Sequence, residues 1–210
     1  MIRQPSNWNQ VQEFTEKVKL PLGAYVCKVQ NVRVDSYDGN SAQLCICFDI
    51  AEGEYTGFYK REFDTNNSEN KKFKGVLRIW LPKDDGTDKD EWTKRTLKGV
   101  VTAFERSNIG YKWNWDERSL VGRMIGILFR NEEWEYEGKS GWTVRPFRAI
   151  SVDSVRNGDF ALPEDKPLKS KSSGGYTESY GGDYGYSSAP APADDTFETL
   201  PDEPFEWSFR

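Results

Sequence analysis

Two stretches of this chain alternate cations with aromatic rings. Read as a strand, residues 55–64 (YTGFYKREFD) send Tyr59, Arg61 and Phe63 to one face if Phe58 points inward. Residues 76–82 (VLRIWLP) form a second strand, in which Arg78 and Trp80, with Lys74 just before them, share a face while Phe73, Leu77 and Ile79 turn to a core. Lys60, Lys71, Lys72 and Lys83 add charge, so that seven cations face three acids over residues 55–83. Cations can neutralise phosphates and flat side chains can stack on bases, the two requirements of sequence-tolerant binding to a single nucleic-acid strand. A hairpin late in the chain adds Arg145 and Phe147 on one face and Trp142 with Arg148 on the other. Each ring also has a plainer reading, because strand aromatics commonly pack in cores. Tyr25 and Phe48 read as core in this way. Trp113 and Trp115 read as packing against a helix at least as well as touching a ligand.

Other chemistry is poorly supplied. The 210 residues contain no histidine, which removes Ser-His-Asp and Cys-His nucleophiles and His-ligated zinc. Cys45 and Cys47 alternate on one strand, a poor spacing for a disulfide, and together with Cys27 they fit a reducing compartment. The run 84–90 (DDGTDKD) lacks the remaining ligand spacing of a calcium loop and reads as a solvated approach to a helix. No nucleophile, base or metal constellation emerges, so the expectation is a binding protein rather than an enzyme, with no cofactor and no metal.

The elements that must position these residues are mainly strands. Residues 6–18 suggest a short amphipathic helix within an N-terminal extension, 1–20. Residues 24–34 and 42–50 read as a hairpin around Asp38-Gly39, with Leu44, Ile46, Phe48 and Ile50 on its buried face. The strands at 55–64 and 76–82 follow. The clearest helix runs from Glu91 to Ser107, with Leu97, Val100, Val101 and Phe104 at i, i+3, i+4 and i+7. Residues 122–136 and 141–152 make the closing hairpin. About five strands with one inserted helix predict an OB-like barrel over 21–165.

Beyond Pro163 the composition changes. Residues 166–193 are dominated by Ser, Gly, Tyr, Ala and Pro and are expected to be a disordered linker. Residues 194–210 (DDTFETLPDEPFEWSFR) set aromatic side chains among acids. From Lys169 onward three cations face eight acids, a net charge of −5 that equals that of the whole chain, so residues 1–168 are close to neutral. Acid alone would suggest a solubility tail. The rings of Phe205, Trp207 and Phe209 suit capture by a basic, apolar groove on a partner instead.

Four segments carry a family resemblance. They are LPLGAYVCKVQNVRV (20–34), FDIAEGEYTGFYKREFD (48–64), SLVGRMIGILFRNEEW (119–134) and LPDEPF (200–205). Together they resemble phage-encoded single-stranded DNA-binding proteins. The last segment is similar to the acidic tip of bacterial single-stranded DNA-binding proteins, except that Glu206, Trp207, Ser208, Phe209 and Arg210 follow it here. The resemblance implies binding and protection of single-stranded DNA during replication or recombination. It also implies recruitment of replication and recombination proteins through Asp202, Glu203, Pro204, Phe205, Trp207 and Phe209. The DNA-contacting set expected is Tyr59, Lys60, Arg61, Phe63, Lys72, Lys74, Arg78, Trp80, Trp142, Arg145, Phe147 and Arg148. With no apolar leader or membrane-length run, the expected place is the cytoplasm, that of a host if the chain is phage-encoded, with no membrane partner. Self-association is left open. Competing readings are a phage structural or assembly protein and a carbohydrate-binding β-module.

Overall fold

A computed structural model describes residues 3–10, 18–37, 41–68 and 70–168. These lie within one compact unit, Met1–Ser173. The expected helix at 6–18 falls largely outside the described residues, which show only a 3-10 turn at Trp8–Gln10. The turn at Asp38-Gly39, the linker from 169 and the tip residues Asp202 to Phe209 also lie outside them.

The fold is mainly β. Five antiparallel strands form one sheet: β1 (Ala24–Tyr37), β2 (Ser41–Ile50), β3 (Val76–Trp80), β4 (Met124–Tyr136) and β5 (Lys139–Ile150). Their order is β3-β2-β1-β4-β5, with helix α2 (Asp88–Ser107) inserted between β3 and β4. A meander, a helix and a closing hairpin are the OB-like arrangement expected. The sheet is not closed into a barrel: β3 and β5 approach within 8 Å but form no hydrogen-bonded ladder, and α2 packs against β3, β4 and β5.

The alternation in β2 sends Leu44, Ile46, Phe48 and Ile50 inward, all at most 2% exposed. They meet Val29 and Val32 of β1, Leu77 and Ile79 of β3, and Ile125, Ile127 and Phe129 of β4. Leu97, Val100, Ala103 and Phe104 of α2 complete the interior. The start of α2 is fixed by Thr87, whose side chain accepts from the Asp90 N–H. Buried Asp90 in turn accepts from the backbone N–H groups of Lys83 (2.7 Å) and Asp84 (3.0 Å), tying the loop to the helix.

Residues 55–64 are not a strand. They form a turn and helix α1 (Phe58–Asp64), so the sheet has one strand fewer on this side than the sequence reading drew. The physical reason is in the spacing: Tyr55, Phe58, Tyr59 and Phe63 fall at i, i+3, i+4 and i+8, the period of a helix. Gly57 precedes α1 at φ 71°, a left-handed conformation in which glycine has no Cβ to clash. Buried Asp49 then accepts from the N–H groups of Ile50 (2.8 Å), Tyr59 (3.0 Å) and Lys60 (3.0 Å), placing a carboxylate on the helix N-terminus. At Gly75 a Cβ would lie 2.3 Å from the Phe48 carbonyl oxygen and 2.8 Å from the Tyr59 ring, so only glycine lets this chain pass.

The closing strand also stops earlier than the sequence reading drew. β5 ends at Ile150 because Ser151 caps a third helix, α3 (Val152–Asn157), by accepting from the Ser154 N–H.

Candidate nucleic-acid interface

On an antiparallel sheet, directly paired residues share a face. The register therefore builds a patch on the outward side of β1, β2 and β3. Arg33 pairs with Cys45 and Cys45 with Arg78, making one row; Asp35 pairs with Gln43 and Gln43 with Trp80, making the next. Two strand spacings put the Arg33 and Arg78 backbones about 10 Å apart. Tyr37 closes the patch: its ring centroid lies 5.6 Å from that of Trp80, and its hydroxyl donates to Gln43 at 3.3 Å. Two cations and two rings thus stand on three successive rows of one face.

Electrostatics within the patch are uneven. Arg33 is paired with Asp35 at 2.9 Å, whereas exposed Arg78 has no ion pair among the described residues. Asp35 also accepts from the Cys45 thiol at 3.2 Å. Burial, then that hydrogen bond, pushes the Cys45 thiol up to about 11, and burial also raises Cys47. The cysteines are therefore protonated packing groups beneath the arginines rather than nucleophiles. Burial and then Asp35 raise the Tyr37 phenol, which stays neutral near pH 7.

The other expected residues fall in two separate places. On and around α1, Tyr59 is buried at 4% exposure, with its ring edge-on to Phe48 at 5.5 Å and Phe58 at 5.2 Å. It is a core residue and cannot stack on a base, which corrects its assignment to an outward face. Phe63 is half-buried against Phe73, with the Lys71 ammonium 4.6 Å over its ring. The cations here already have partners: Lys60 pairs with Asp64 at 2.7 Å, Lys74 with Glu62, and Arg61 donates to the Thr56 carbonyl. Lys72 is exposed on the same stretch.

The second place is the β4–β5 hairpin. A bulge interrupts its register, so that Leu128 pairs with Arg148 but Phe129 with Pro146, leaving Phe147 as the extra residue. The guanidinium of Arg148 consequently lies over the Phe147 ring, at 5.2 Å, and does not share a face with Trp142 as simple alternation predicted. Arg130 covers the same ring at 4.2 Å, and Arg145 is its direct cross-strand partner. Phe147 is 8% exposed and so unavailable for stacking. Trp142 is 51% exposed but sits opposite Glu133, beside an acidic run.

Arg33 and Tyr37 were missed in the sequence. The signal was present: Val29 and Val32 are buried in β1, and the alternation that follows Val32 turns Arg33, Asp35 and Tyr37 to the other face. Only the pairing with β2 and β3 shows that they join Arg78 and Trp80. Elsewhere, a groove of about 340 Å³ lined by residues including Tyr111, Lys112 and Arg123 gathers none of the expected residues. Trp113 and Trp115 pack on each other nearby, with centroids 4.7 Å apart.

Among the described residues no group of three or more Cys, Asp or Glu side chains could hold a metal ion. No helix among them is long and apolar enough to cross a membrane. The chain matches no protein-family model and no curated protein.

Proposed function

We propose that this chain binds single-stranded DNA without sequence readout, along the outward face of β1, β2 and β3. The observation that supports this reading best is the patch in which the row holding Arg33 and Arg78 lies beside the rings of Trp80 and Tyr37. Guanidiniums carried on backbones about 10 Å apart can engage backbone phosphates, and the neighbouring rings offer π-faces that any base can use. Residues 194–210 act in this reading as an acidic, aromatic tip that recruits replication or recombination proteins of a phage or mobile element.

Fluorescence titration of the full chain with a labelled thymine oligonucleotide, and with a duplex of equal length, tests the reading at two salt concentrations. Single strands should bind more tightly than duplex, and affinity should fall as salt rises because counterions are released. Equal binding to both forms, or salt-insensitive binding, overturns it. Deleting 194–210 should leave the melting temperature unchanged while abolishing capture of the partner proteins; full retention of capture would reduce the tip to a solubility device.

A further inference from the structure

The loop between α2 and β4 carries an exposed ring that packing does not explain. Trp113 and Trp115 stack on each other there, with centroids 4.7 Å apart and planes inclined at 36°. The two play unequal parts. Trp113 packs against the core, its Nε1–H donates to the Asp116 carbonyl at 3.1 Å, and its backbone N–H donates to Glu105 at 3.3 Å. Trp115 is 74% exposed and rests on Trp113 rather than on the core. Its backbone is left-handed, at φ 66°, a conformation that a bulky side chain rarely adopts and that glycine takes freely. The fold thus gives a reason for Trp113 but none for Trp115. The place of the loop adds to this. β1 pairs with β4 as far as Lys28 and Met124. Beyond that point the loop continues along the same edge of β1: the Val29 N–H donates to the Arg123 carbonyl and the Gly122 N–H to the Val29 carbonyl, both at 2.9 Å. The 3-10 turn Glu117–Leu120 also packs on β1. The order across this end of the sheet is therefore β3, β2, β1 and then the loop, which lies on the far side of the Arg33 strand from Arg78. Arg118, three residues after Trp115, is exposed and has no ion pair among the described residues. Residues 108–123 hold three cations against two acids, so the loop is weakly charged and its distinctive feature is the open π-face.

We propose that Trp115, propped on Trp113, is a second stacking surface for the bases of a single nucleic-acid strand, beyond β1 from the Arg33–Arg78 row. In the single-strand-binding reading, on which this part rests, a strand that crosses the sheet from β3 to β1 runs on to this loop. A ring already braced by its neighbour, with most of its surface in water, loses little freedom when a base stacks on it. A strand confined to the β1–β3 patch does not reach Trp115; a longer one does and binds more tightly.

Trp115→Gly is the deciding variant, because glycine accepts φ 66° and the core is untouched. It should melt no more than about 4 °C below wild type; a larger drop would make the ring a packing residue and overturn its binding role. In titrations of the full chain with thymine oligonucleotides of increasing length, Trp115→Gly should match wild type on the shortest that bind. On longer ones it should lose about five- to tenfold in affinity, and Trp115→Phe should recover most of that loss. The loss should be the same at low and high salt, because stacking releases no counterions, whereas the loss in Arg78→Gln should shrink as salt rises. Equal affinity of Trp115→Gly and wild type at every length overturns the role, as does a loss confined to low salt. If Trp80→Ala binds as wild type does while Trp115→Gly loses affinity at every length, the β1–β3 patch fails and the loop surface stands. If Trp80→Ala alone loses affinity, the patch stands and the loop surface fails. If no oligonucleotide binds, both fail.

Discussion

Residues 55–64 and 74–80 have nearly the same ingredients: aromatic rings, cations and intervening apolar positions. One became helix α1 and the other strand β3. In α1 the rings turn inward onto Phe48 and Phe73, and the cations pair with Asp64, Glu62 and a backbone carbonyl. In β3 the period of two puts Leu77 and Ile79 inside and leaves Arg78 and Trp80 on the opposite face. The difference teaches that composition nominates a binding segment but periodicity decides whether its rings are offered to solvent or consumed by the core.

The contrast can be broken most severely at its two rings. Tyr59→Ala removes a buried side chain and should cost on the order of 3–5 kcal/mol of stability, read by denaturant unfolding. Trp80→Ala should leave the fold intact and weaken single-strand binding by about 1–3 kcal/mol, read by titration. Reversal of these two outcomes would mean that α1, not β3, offers the stacking surface.

The carboxylate that allows α1 to exist is the next point of attack. Asp49→Ala strips the helix N-terminus of its carboxylate and removes the acceptor of the buried Tyr59 N–H and the part-buried Lys60 N–H. A loss of about 2–3 kcal/mol is expected. Hydrogen exchange should then quicken through 55–64 while β3 stays protected. Uniform exchange across both segments would show that the cap does not distinguish them.

Smaller effects sharpen the β3 side. Asp35→Asn frees Arg33 from its ion pair and should tighten single-strand binding by about 0.3–1 kcal/mol, with the gain fading at high salt. A loss of affinity instead would make Asp35 a positioning group for Arg33. The smallest expected signal is thiol chemistry. With Cys45 raised to about 11, chiefly by burial, its thiolate is scarce at pH 8 and native protein should resist alkylation there. A raised acid pKa favours the folded state below the unfolded value near 9, and that contribution declines as pH climbs through 11. Cys45→Ala should therefore flatten the fall of stability over that alkaline window. Rapid labelling of Cys45 at pH 8 in folded protein would show that the patch opens.

The sequence by itself determined the strands whose apolar alternation is unbroken and the helix with a clean 3.6 period. Leu44, Ile46, Phe48 and Ile50 face inward because a buried face leaves a period-two strand one register. Leu97, Val100 and Phe104 do so because a helix buries one stripe. At 55–64 the helical spacing of Tyr55, Phe58, Tyr59 and Phe63 was legible too, but it competes with a strand-like alternation in the same ten residues. The tie is settled by Asp49, a residue outside the segment. Which outward residues meet was decided only by tertiary structure. Pairing across two ladders brings Arg33 to Arg78 and Tyr37 to Trp80 across more than 40 positions of chain. A bulge opposite Phe129 shifts Phe147 and Arg148 out of simple alternation, and no local periodicity in β5 encodes the partner strand that forces it.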